Sequence, residues 1–380
     1  MPERTQGRPP SPIALPGSYW DMMMQANRLV GDGQLEEAVT LLERLIERLR
    51  RVPEHRRRPN TELGELFIRA LWTLAQVQAR RGEWGVTQAL FDQVQTLAPE
   101  RRLEWLKDLL LARIGAGDVA PGVQELHALA VANPNEASLW TALGWVVLTY
   151  HISEYADETA ERLWELSQNT DDAHDRWSLQ TMRLILLMGL RLWDKAVQAW
   201  QQSPHITDDL TETLLQVLLI ERQLDLAQQM LDENRLPPIE TTYHSAVLAY
   251  LREDVATARR LWRRVVMSRV GEDQPQSLAT SAKIGMAHCW LGEPEAAVEL
   301  LTDPKLSPLP NAAVFRTLGL AMAMLGEVEI AAEYFQMALA LEDQASMSPM
   351  SARVMSLWAV KELVQDEAIE AALLPYLATS

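Results

Sequence analysis

The sequence predicts an all-α solenoid of about nine helix-turn-helix units with a C-terminal capping helix. Three observations predict it. A small residue followed four positions later by a bulky one recurs as Ala38–Leu42, Thr87–Phe91, Gly122–Leu126, Ala160–Trp164, Ala196–Trp200, Ala227–Leu231, Ala258–Trp262, Ala297–Leu301 and Ala331–Phe335. Positions four apart share one face of a helix, so each pair sets a close-approach point beside a side chain that fills the adjoining space. After a first gap of 49, the small residues recur at intervals of 31 to 39 residues. Glycines 33, 82, 117, 292 and 326 lie shortly before five of them, where a helix-ending turn needs a left-handed residue.

In chain order, residues 1–18 contain Pro and Arg without an apolar core, so they predict a disordered segment and no secretory signal. Residues 19–345 are the repeat domain. The gap of 49 contains Arg48 to Thr61, which predicts a longer loop after the first unit. The second unit closes on Gly82, Thr87, Phe91, Val94 and Pro99, and the fourth opens on Trp140, Leu143, Gly144 and Val147. Asp171, Asp172 and Asp175 predict a loop feeding a helix N-terminus, where carboxylates are favoured. Arg191 and Arg222 stand where glycine is expected in units five and six, so those units rest on helical periodicity. Prolines at 99, 134, 204, 237, 238, 304 and 349 fall between units, stopping one helix or starting the next. Residues 346–380 supply the cap: an amphipathic helix over Ser351 to Val364, with Val354, Leu357, Trp358 and Leu363 as its apolar face, and a second short helix over Ile369 to Leu377.

Phe315, Leu318, Gly319, Met322, Gly326, Ala331, Phe335 and Ala338 stand in the spacing of the tetratricopeptide repeat, which this chain resembles. The resemblance implies a right-handed superhelix in which the first helix of each unit lines a concave groove. It places Trp20, Met23, Trp72, Trp145, Met188, Tyr243, Tyr250, Met286, Trp290 and Met324 in that groove, with Asp209, Glu212, Gln216, Cys289 and Arg316 at equivalent positions. Trp and Tyr are the side chains most enriched at binding hot spots, and Met adapts to irregular partners, so the set predicts a recognition surface whose rings stay partly exposed. The family's clamp for a partner's C-terminal carboxylate is not expected: Met23, Asn27, Thr73 and Glu104 occupy its positions, and Asn27 alone suits it.

The formal net charge of −17 argues against nucleic-acid binding and favours solubility with basic or neutral partners. One cysteine, Cys289, excludes a disulfide framework and fits a reducing, cytoplasmic compartment. No uninterrupted apolar stretch approaches a membrane span. Two basic clusters offer docking faces for an acidic partner: the run Arg48, Arg50, Arg51, His55, Arg56, Arg57 and Arg58 at the first long loop, and Arg259, Arg260, Arg263, Arg264 and Arg269 on the second helix of unit seven. The plain alternative is a solvated loop for the first and pairing with Glu253 and Asp254 for the second. Scattered histidines, with no HExxH or CxxC, predict no metal site. Nothing marks Cys289 as a nucleophile, and a half-buried groove thiol is expected. No phosphate-binding glycine loop occurs, Gly115-Ala116-Gly117 being a turn between helices.

The sequence thus predicts a non-catalytic scaffold or adaptor without cofactor, binding a protein or peptide in an aromatic-lined groove. A sensor arm that binds a small ligand inside the superhelix is the alternative.

Overall fold

A computed structural model describes residues 16–268, 277–303, 310–345, 352–364 and 366–378. Among these the chain is helical throughout, with twenty α-helices and three short 3-10 turns. Pro304, Pro349 and Arg269 lie outside the described residues.

The chain divides into two compact units, residues 1–162 and 163–380. The first holds α1 (Pro16–Gly31), α2 (Leu35–Arg50), α3 (Glu62–Arg80), α4 (Trp84–Leu97), α5 (Arg102–Gly115), α6 (Val119–Ala132) and α7 (Ala137–Thr149). Helix α8 (Ala156–Asn169) spans the division. The second holds α9 (Ala173–Gly189), α10 (Trp193–Gln202), α11 (Asp208–Ile220), α12 (Leu224–Asp232), α13 (Pro238–Leu251), α14 (Val255–Met267), α15 (Leu278–Leu291), α16 (Pro294–Leu301), α17 (Ala312–Met324), α18 (Val328–Ala345), α19 (Ala352–Leu363) and α20 (Glu367–Ala378). Within each unit, helices pack on their hairpin partners and on the next pair. Helix α1 begins ahead of residue 19.

One turn is used nine times. At residues 33, 82, 117, 151, 191, 222, 253, 292 and 326 the backbone is left-handed, and the following amide donates to the carbonyl five residues back, from Gln34 to Leu29 through Glu327 to Met322. This closes off the carbonyls left over at a helix end. Glycine occupies five of these positions. His151, Arg191, Arg222 and Glu253 occupy the others at φ 52°, 59°, 57° and 66°. Arg191 and Arg222 therefore do the turn's work without glycine.

The small residues are all buried. Of their bulky partners, Trp164 alone is half-buried, with the Arg183 guanidinium over its ring at 4.9 Å. The tight crossing is explicit at Gly319 and Gly285: a Cβ there would come within 3.0 Å of Phe335 and 2.9 Å of Leu301 respectively. Six helix starts carry side-chain caps. Thr61, Asp172, Thr207, Asp254, Ser277 and Asn311 each accept an amide of the first turn.

Two helices follow the last repeat hairpin. Helices α19 and α20 form a further hairpin on α17 and α18. The residues α19 buries are Ala359, Val360 and, just past its end, Val364, while Leu357, Trp358 and Leu363 are half-buried at the margin. Leu357, Trp358 and Leu363 of the expected face thus pack against the core, and Ala359, Val360 and Val364 extend that face. Val354 has no described side chain.

Candidate functional site

Within the second unit, the first helix of each successive hairpin contributes to one cavity. Helices α11, α13, α15, α17 and α19 line a space of about 280 Å³. Asp209, Glu212, Thr213 and Gln216 come from α11, Tyr243 from α13, Ala279, Ala282, Lys283 and Met286 from α15, Ala313, Arg316 and Thr317 from α17, and Trp358 and Ala359 from α19. One wall is apolar, built on Met286, Trp358 and small residues; the other carries charges of both signs.

The charged wall is an ordered network. Lys283 donates to Glu212 at 3.1 Å and sits 3.5 Å from Glu240, and His244 Nε2 lies 3.0 Å from the other oxygen of Glu212. Three helices are tied together by these contacts. Burial works against the Glu212 charge, but the hydrogen bonds and charges of His244 and Lys283 outweigh it and hold the carboxyl at about 2. Trp290 Nε1 lies 3.3 Å from the Tyr243 hydroxyl, whose acidity burial suppresses. At the far side Arg222, in the turn after α11, donates to Glu362 of α19 at 2.8 Å. On the same side Trp358 comes to 5.9 Å from Trp290.

Of the groove positions expected from the sequence, Asp209, Glu212, Gln216, Tyr243, Met286 and Arg316 meet at this cavity. Others do not. Trp290 is 7% exposed, stacked on Trp262 with Tyr250 tilted against it behind the cavity. Tyr250 and Met324 are half-buried beside the core, and Met188 is buried. In the first unit Met23 is buried, and Trp72 is 6% exposed between Phe91 and Trp105, with Nε1 donating to Asp108 at 3.2 Å. Burial raises the Asp108 pKa. Trp20 is half-buried, bonded to Glu62 at 3.0 Å beneath Arg69, and Trp145 is half-buried. The expectation that these rings stay exposed thus fails for Trp72, which Trp105 of the following hairpin covers, and for Trp290, which Tyr250 and Trp262 of the preceding hairpin cover.

Cys289 is not a half-buried groove thiol. It lies in the core with Ala297, Leu320 and Ala321, and burial pushes its thiol up to about 12, so it stays protonated. Lys283, Glu240, His244 and Trp358 were absent from the expected groove. Lys283 precedes Met286 by three positions and shares its face, a signal that was present in the sequence.

The two basic clusters differ from each other. Arg57 folds inward: its Nε donates to Val52 at 2.9 Å and its guanidinium lies 5.1 Å from the Phe67 ring centroid. Arg56 and Arg58 are exposed, yet their carbonyls accept from Thr61, which fixes the loop on the start of α3. Arg259, Arg260, Arg263 and Arg264 are all exposed. The expected pairing with Glu253 and Asp254 is not among the ion pairs of the described residues; Asp254 instead caps α14. Among the described residues no three His, Cys, Asp or Glu side chains converge as metal ligands, and no helix is long and apolar enough to cross a membrane.

No protein-family model matches the chain, and no curated protein matches it. Among solved structures it is similar to a tetratricopeptide repeat protein from Parabacteroides merdae, at 11% identity and a TM-score of 0.28, over 96% of this chain and 100% of that one.

Proposed function

We propose that this chain is a non-catalytic scaffold of tetratricopeptide-like hairpins that holds a segment of a partner protein where α11, α13, α15, α17 and α19 converge. The observation that supports this reading is the convergence itself: five first helices aim apolar and charged side chains into one cavity. At about 280 Å³ the space takes an anchor side chain and its neighbours, not a whole helix. Met286 and Trp358 would cover the apolar stem, and Asp209, Gln216 and Arg316 would meet the polar tip. Recognition of this kind concentrates binding energy in one desolvated pocket.

The size of the cavity also favours the sensor reading, since small-molecule sites begin at about 300 Å³. Filling the cavity separates the two. In an Ala313→Trp variant of the full chain, a partner protein captured by the wild type should be lost. A metabolite that co-purifies with the wild type in native mass spectrometry, and is lost in the same variant, would select the sensor. Equal capture by both proteins would remove the cavity from either role.

A further inference from the structure

We propose that the outer face of α14 is a second docking surface, and that it takes an acidic amphipathic helix. The argument begins with spacing. Val255, Arg259, Arg263 and Met267 stand four residues apart and so form one ridge of the helix. Arg260 and Arg264 form the adjoining ridge, and Ala256 leaves it low at its start. Together Ala256, the four arginines and Met267 form one shallow, open strip of surface.

Exposure is the second observation. All four arginines are open to solvent, and none makes an ion pair with a described residue. Arg260 makes a weak 3.3 Å contact to Thr257. Other exposed arginines, Arg28, Arg44, Arg50 and Arg80 among them, also make no ion pair with a described residue, but they do not gather on one face. Asp254 at the start of α14 is the one carboxylate whose charge Arg260 favours, and it is occupied in capping the helix, so the strip from Arg259 to Arg264 keeps a local excess of positive charge in a chain where acidic residues outnumber basic ones by 52 to 35. The ridge also ends in apolar side chains. Met267 is 81% exposed and Val255 46% exposed.

These features define the occupant. The twelve steps from Val255 to Met267 at about 1.5 Å each give a strip of about 18 Å, which matches some three turns of a partner helix. Guanidinium forks favour carboxylates in bidentate geometry, and the two ends require apolar cover. A helix with glutamates in its middle and an aliphatic residue at each end supplies both. Nucleic acid fits less well: it offers nothing to Met267 or Val255, and a chain of net charge −17 repels a long polyanion beyond this one strip.

The test uses a labelled synthetic helical peptide of that pattern, Leu at both ends and four glutamates between at i, i+4 spacing, titrated into the full chain by fluorescence anisotropy. Arg259→Glu/Arg263→Glu should weaken binding at least about 10-fold, the loss expected when charge complementarity is reversed. Met267→Ser should weaken it severalfold, and a peptide with Gln in place of Glu should not bind. Unchanged helical circular dichroism in the variants keeps the reading on the surface. The proposal is overturned if the wild type does not bind the peptide, if the Arg-to-Glu pair changes affinity less than about twofold, or if single-stranded DNA or anionic vesicles bind this face in preference to the peptide.

Discussion

The indole rings of Trp262 and Trp290 stack with centroids 4.8 Å apart and planes 10° from parallel. Trp262 is the bulky residue that follows Ala258, and Trp290 belongs to the first helix of the next hairpin. The stack is therefore a joint between consecutive repeats, completed by Tyr250 at 4.8 Å and Trp358 at 5.9 Å from Trp290.

Removing Trp290 should act on stability first. Trp290→Ala should cost about 3–5 kcal/mol, the usual loss for a buried aromatic, and Trp72→Ala should cost a similar amount in the first unit. Chemical denaturation monitored by circular dichroism gives the number. A loss below about 1 kcal/mol at both sites would return these rings to the binding surface.

The crossing points leave no space for growth. Ala297 and Ala331 are fully buried, and Leu at either should cost about 1–3 kcal/mol from overpacking. An unchanged thermal midpoint in both variants would mean that the hairpins do not cross there.

The turns offer a gain. Glu253 is exposed and holds φ at 66°, a conformation that costs a residue with a Cβ about 1–2 kcal/mol. Glu253→Gly should raise stability by about 1 kcal/mol. Arg222→Gly should gain less, because it also removes the bond to Glu362. Comparison of the two melts tests both statements, and a destabilised Glu253→Gly contradicts the reading of the turn.

The Glu212 network should give an acid limb. The folded-state pKa of Glu212 is depressed from 4.5 to about 2, so its contribution is complete above the unfolded value and is lost as pH falls through the folded one. Between pH 5 and 2 the wild type should lose roughly 2–3 kcal/mol more than Glu212→Gln does. Parallel acid limbs in the two proteins would show that the carboxylate is not held by His244 and Lys283.

The hairpin pattern was legible in the sequence because it is written in local spacing. Small and bulky residues four apart, a turn residue shortly before them and prolines between units describe contacts within one hairpin, and glycine marked five of the nine turns. The four left-handed turns at His151, Arg191, Arg222 and Glu253 carry no glycine, and hydrogen bonding of the following amide sets them regardless of the side chain.

On α11, α13, α15 and α17 the repeat frame puts Asp209, Glu212, Gln216, Tyr243, Met286 and Arg316 on one side, and these meet at the cavity. Whether a residue on that face stays open depends on how the hairpins before and after it pack over it. Trp72 is covered by Trp105 of the following hairpin, Trp290 by Trp262 and Tyr250, and α19 reaches back to the turn after α11 through Arg222 and Glu362. Periodicity fixes the direction in which a side chain leaves its own helix. The curvature that buries or exposes it is the sum of packing between successive hairpins, and only the tertiary structure contains that sum.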